Sequence, residues 1–205
     1  MIITDIQQNK RFKNYLDIYL DHEYAFFLTN REIKYLKLNK GDQIMESSLN
    51  NIYRDYVYPR ARNRAFRLLQ RRDMTKLEMV NKLKLSGNSP VVIDYILSLL
   101  EEYHYIDDDA YANKYISYNK ERKSILQMKM ELGRKGVPKD IIVRHLEDAH
   151  VCEEKVAYAL LEKKYKNQQQ MDEKIKKRMM GFLLRKGYPY HLVNKVICHF
   201  IEQKY

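Results

Sequence analysis

The sequence predicts a mainly α protein, with three tandem three-helix repeats in an elongated curved array behind a small β-rich N-terminal module. Three observations predict it. Gly and Pro are scarce, six and four in 205 residues, which leaves few breaks and favours long helices over a many-stranded sheet. Glycines fall at Gly87, Gly136 and Gly187, spaced 49 and 51 apart. After each of them an apolar stripe recurs in one register, and self-similarity at such a period marks stacked repeats.

The first 58 residues carry the β signals. Ile2 to Ile6, Tyr15 to Leu20 and Tyr24 to Leu28 are short, partly alternating runs rich in β-branched and aromatic residues, which predicts three strands. Asp21, His22 and Glu23 supply a tight connection between the second and third. Thr29 or Asn30 can cap a short helix reaching Lys37, stopped by Asn39, Lys40, Gly41 and Asp42. Leu49 to Tyr53 begins another helix running towards Pro59. This stretch is neutral, with eight Lys/Arg against eight Asp/Glu. It reads as a module removable without unfolding the rest.

From residue 59 onwards each repeat predicts three helices. The first carries Ala65, Leu68 and Leu69, then Ala112, Tyr115 and Ile116, then Ala157, Leu160 and Leu161. The second pairs Met79 with Leu83, Met128 with Leu132, and Met179 with Leu183. A glycine follows, placed where a helix end needs positive φ, with Pro138 and Pro189 suited to starting the next helix. The third helix buries Val92, Ile93, Ile96, Leu97 and Leu100 in the first copy. Ile141, Ile142, His145, Leu146 and Ala149 hold the same offsets, as do Leu192, Val193, Val196, Ile197 and Phe200. Such spacing turns one helix face inward. The expected divisions are 1–58, 59–106, 107–150 and 151–205.

Composition narrows the function. The chain is 45% hydrophobic and 32% charged, enough to bury a core and not a disordered composition. The first residues lack a basic-then-apolar leader, and charges break every apolar run short of a span, so a cytoplasmic location is expected. Cys152 and Cys198 suit reduced, buried thiols. The whole net charge of +11 lies after residue 58, where 30 Lys/Arg face 19 Asp/Glu. That asymmetry suits a polyanionic partner, the plainer reading being solvated helix faces.

Several motifs together resemble the RecX family over about residues 60–205. The stretch Arg72 to Glu78, with Thr75, Leu77 and Glu78, resembles its R-x-x-S-x-x-E-L start to a second helix. Tyr105 to Ala112, with Asp107 and Asp108, resembles its g-y-l-D-D-x-x-F-A signature. The steps Lys135-Gly136-Val137 and Lys186-Gly187-Tyr188 resemble its K-G-I and R-G-F turns. The chain departs at Tyr111 and Tyr188, where the family often has Phe, and the first glycine turn is degenerate. Residues 1–58 resemble the β-rich extension of some Gram-positive members. The resemblance implies a non-enzymatic regulator of DNA repair and recombination. Its partners would be RecA and the RecA–DNA filament, whose recombinase activity it restrains. Direct binding of single- or double-stranded DNA, a monomeric state and no cofactor are expected with it. A rival reading is a helical DNA-binding transcription regulator, but no dimerisation element or recognition helix is identifiable. A structural adaptor is a second rival.

No motif supports catalysis. Asp107, Asp108 and Asp109 precede a helix, where capping and dipole complementation account for them. His145, His150, Cys152, Cys198 and His199 match no zinc spacing, and His145 sits in an apolar stripe, as a core histidine bonded to backbone. There is no phosphate-binding G-x-x-x-x-G-K-[ST] and no G-x-S-x-G. Tyr111, Tyr115 and Tyr118 share a helix face that could stack bases but reads better as core. The basic pairs are the candidate contacts because they recur in register: Arg71 and Arg72 with Lys163 and Lys164, and Arg134 and Lys135 with Arg185 and Lys186. Like-placed residues of stacked repeats would form a stripe able to follow phosphates. The plainer account is that Lys and Arg favour the last turn of any helix.

Overall fold

A computed structural model describes residues 1–168 and 172–203. The chain divides into two compact units, Met1–Asp107 and Asp108–Tyr205.

The first unit opens on an antiparallel sheet in the order β1 (Ile3–Gln8), β2 (Tyr15–Leu20), β3 (Glu23–Thr29). Asp21 and His22 both adopt positive φ, +47° and +72°, as a two-residue hairpin turn requires. Asp21 steadies that turn by accepting from the Ile2 amide at 2.8 Å. Thr29 and Glu32 then form a reciprocal capping box on α1 (Asn30–Leu36), and Lys37 ends the helix in the left-handed conformation. Next come α2 (Glu46–Ile52), one π-helical turn (Tyr53–Val57) and α3 (Tyr58–Leu69). This single bent run brings α3 from the sheet into the first repeat, completed by α4 (Lys76–Leu85) and α5 (Pro90–Glu102).

One core joins the strands to this repeat. Ile3, Ile18, Phe26 and Leu28 cluster with Ile52, Val57, Ala61, Ala65, Val92 and Ile96. Arg60 of α3 fastens the same junction. It grips Glu32 with two contacts of 2.6 and 2.7 Å and donates to the Phe27 carbonyl at 2.8 Å. Residues 1–58 share this core with the first repeat: their inner face completes the packing of α3 and α5.

Burial tends to raise the Glu32 carboxyl, and hydrogen bonds from Thr29 and Arg60 outweigh it, holding the group below its ordinary 4.5. A carboxylate held low contributes stability that is full above its unfolded pKa and is lost as pH falls through the folded value. Urea titrations of the wild type and Glu32→Gln should differ most above the unfolded carboxylate range and converge as pH falls through the lowered folded value. A gap that persists unchanged to pH 3 would mean the ion pair is not its source.

The second unit holds two further three-helix sets. These are α6 (Asp108–Asn119), α7 (Ile125–Arg134) and α8 (Lys139–Asp148), then α9 (Glu153–Tyr165), α10 (Glu173–Arg185) and α11 (Tyr190–Glu202). Each has its own core. The repeat logic holds atom by atom. Met79, Leu83, Met128, Leu132, Met179 and Leu183 are all fully buried, as are Ala65, Ala112 and Ala157. Gly87, Gly136 and Gly187 take φ of +83°, +83° and +89°. In each copy the glycine N–H returns to the carbonyl three residues back (Lys84, Gly133, Leu184), and the next N–H to Leu83, Leu132 or Leu183. That is the Schellman closure, made even by the degenerate first copy.

Gly187 also sits hard against a neighbouring helix. A Cβ there would lie 3.0 Å from the Ser124 Oγ and 3.3 Å from Leu126. The Ser124 hydroxyl caps α7 and donates to the Lys186 carbonyl at 2.6 Å. Gly187→Ala should thus cost about 1–2 kcal/mol for left-handed backbone and about 1 more for the displaced hydrogen bond. Gly41→Ala, at φ +92° with nothing within 4 Å, should cost only the first part. Equal losses in chemical denaturation would show that the Ser124 contact contributes nothing.

Three sequence expectations are corrected. Cys152 and Cys198 are free but exposed, not buried. Tyr111 and Tyr115 pack on the second-repeat core, whereas Tyr118, one turn further, is 69% exposed beneath the Arg122 guanidinium. His145 is mostly buried, but its Nε2 lies 3.1 Å from the Asp109 carboxylate instead of against backbone. Asp109 also pairs with Arg144, so this aspartate ties α6 to α8.

Candidate functional site: basic clefts of the second unit

Three of the eight candidate residues line one cleft. The last turn of α10 lies against α7, fixed at the start of α7 by the Ser124 bond to Lys186. Arg134, Arg185 and Lys186 surround a cleft of about 320 Å³ floored by Leu126, Met130 and Phe182. Glu131 is its carboxylate, and it is occupied. Lys123 Nζ reaches it at 2.5 Å, Gln127 donates at 2.8 Å, and the Tyr115 hydroxyl donates as well. Burial lowers the Lys123 pKa, with the charge of Lys135 adding to it.

Arg185 is shared with a second, wider cleft of about 780 Å³ along α9 and α10. Lys164 lines it as well, its ammonium 3.9 Å from the centre of the Phe182 ring that floors the first cleft. Lys174, Lys177 and Arg178 complete it, with Glu173 the acidic member. These three cations escaped the sequence reading because they do not recur between repeats. Their i, i+3, i+4 spacing, opposite buried Met179 and Leu183, was the available signal.

The other candidates stand apart from these clefts. Lys135 lies over the Tyr111 ring at 5.4 Å. Lys163 is exposed on α9 and lines neither cleft. Arg72, in the first unit, grips Glu78 at 3.1 and 3.2 Å, and Glu78 in turn completes the capping box with Thr75. Arg71 is exposed beside it. Register also differs locally. Arg71 and Arg72 follow the end of α3, whereas Lys163 and Lys164 lie inside the last turn of α9. The first repeat has Leu85 and Ser86 where the other two carry their basic pairs.

Among the described residues no cluster of His, Cys, Asp or Glu could hold a metal ion, and no helix is long and apolar enough to cross a membrane. What the clefts offer is a concentration of cations over an apolar floor. Such a surface binds extended anions through many weak charge contacts.

Fold and surface together define a three-helix-repeat protein with basic clefts and a β-capped first repeat. Comparison with known proteins narrows this to a family of regulators. Residues 153–197 match the family model for the third three-helix domain of RecX. The regulatory protein RecX of Caldanaerobacter subterraneus subsp. tengcongensis is 32% identical over 96% of this chain and 98% of its own. That of Clostridium perfringens (strain 13 / Type A) is 28% identical over 99% and 98%. Among solved structures, a regulatory protein RecX superposes with a TM-score of 0.60 at 24% identity, covering 95% of this chain and 98% of that one. RecX from Lactobacillus salivarius does so at 0.58 and 20%, over 70% and 96%. The chain belongs to the RecX family.

Proposed function

We propose that this protein regulates homologous recombination and DNA repair without catalysis, by binding RecA and the RecA–DNA filament and restraining recombinase activity. The observation that carries the reading is family membership along nearly the whole chain. The paired clefts add a physical means. Arg134, Arg185, Lys186 and Lys164 gather cations on one unit, suited to a phosphate backbone or an acidic groove of the filament. In this reading the repeats are residues 59–106, 107–150 and 151–205. The protein works in the cytoplasm as a monomer, without cofactor. Arg71, Arg72, Lys135 and Lys163 serve as outlying contacts.

Co-sedimentation tests it. The protein should pellet with RecA–single-strand filaments at concentrations where free RecA and free DNA retain little of it. Equal retention on a DNA duplex without RecA would favour the transcription-regulator alternative instead.

A further inference from the structure

The first unit carries a cleft that the filament reading leaves unused. It encloses about 550 Å³ where the β1–β2 loop meets α3 and the end of α4. Arg11, Arg60, Arg64, Arg67 and Lys82 line it, and among the described residues no carboxylate does. Arg60 is committed to Glu32. The others make only neutral contacts: Arg11 to the Leu85 carbonyl, Arg64 to the Ser86 Oγ at 3.3 Å, Arg67 to the Asn63 carbonyl at 3.2 Å. A guanidinium has five N–H donors, so each keeps several for a ligand. Lys82 is exposed on α4.

Aromatic rings interleave with these cations. Phe27 is buried, and Tyr15 stands edge-on to it at 5.2 Å. Phe12 stands edge-on to Tyr15 at 6.0 Å and is 40% exposed at the rim. An exposed ring costs apolar surface, and this one lies 6.0 Å from the Arg11 guanidinium in a cleft it shares with the arginines of α3. Cations flanking an open aromatic face suit a strand whose phosphates are neutralised while an unpaired base stacks. In a duplex the base faces are already stacked, and an acidic peptide has none to offer.

We propose that this cleft binds single-stranded nucleic acid, with phosphates at Arg64, Arg67 and Lys82 and a base on Phe12. The neutrality of residues 1–58 concealed it, because most of its charge comes from α3 and α4.

The test uses the full-length protein and dye-labelled oligodeoxythymidine, with RecA absent, so its outcome is separate from that of the filament reading. Anisotropy titrations should show single strand bound more tightly than a duplex of equal length. Phe12→Ala and Phe12→Leu should each weaken the single-strand affinity roughly ten-fold, and Phe12→Trp should retain it. Arg64→Glu with Arg67→Glu should flatten the log–log salt slope by about 1.4. Arg31→Glu with Lys34→Glu, exposed on α1, should leave that slope nearer the wild type. Circular dichroism confirms that each variant is folded. The proposal is overturned if folded Phe12→Leu binds like the wild type, if both charge-reversed pairs lose slope alike, or if a polyglutamate peptide competes as well as the oligonucleotide.

Discussion

Deleting residues 1–58 should unfold α3, α4 and α5 while the second unit keeps its own structure. The deletion removes Ile3, Ile18, Phe26, Leu28, Ile52 and Val57, all buried and all in the cluster that holds Ala61, Ala65, Val92 and Ile96. Fully burying one such side chain contributes about 1.5–3 kcal/mol. Several lost together therefore compare with the whole net stability of a domain, about 5–15 kcal/mol. Polar ties go with them: Arg60 loses Glu32 and the Phe27 carbonyl, and Gly87 loses the Tyr24 hydroxyl that donates to it. Hydrogen exchange on the truncated chain should show α3–α5 near the unfolded rate and α6–α11 still protected. Protection of α5 at the full-length level would mean that the first repeat stands without the sheet.

The contrast between what the sequence disclosed and what it hid lies in this junction. Met79, Leu83 and their counterparts were legible because helical periodicity reports an inward face directly. The glycine turns were legible because positive φ leaves few residue choices. The strands were too, down to the Asp21–His22 connection. What periodicity cannot report is which inward faces meet. The sheet's apolar side and the α3–α5 stripe each look complete alone, and only coordinates place Phe26 against Val57 and Val92.

The basic residues divide in the same manner. Recurrence singled out Arg134, Arg185 and Lys186, and the end of α10 packed along α7 brings these three to one cleft. Recurrence also singled out Arg72, which local chemistry claims for Glu78. It passed over Lys174, Lys177 and Arg178, whose face of α10 has no copy elsewhere. The cleft around Phe12 draws on residues 11–15, 27, 60–67 and 82–88, too far apart in sequence for any motif to link.

Family membership with RecX makes filament binding the central claim, and the cleft between α7 and α10 makes it specific. Its most direct test is the salt-dependent affinity of the triple variant Arg134→Glu, Arg185→Glu, Lys186→Glu for RecA–single-strand filaments. Beside it stands Lys129→Glu, Lys139→Glu, Lys155→Glu, three exposed lysines of the same unit that line neither cleft. Both change net charge equally, so a merely electrostatic attraction weakens equally in the two. The account predicts that the cleft variant alone loses at least about ten-fold in affinity, because contacts at close range outweigh diffuse charge. Its salt slope should flatten by about 2 if the three cations meet phosphates. Equal losses in both variants, or none in either, would contradict it.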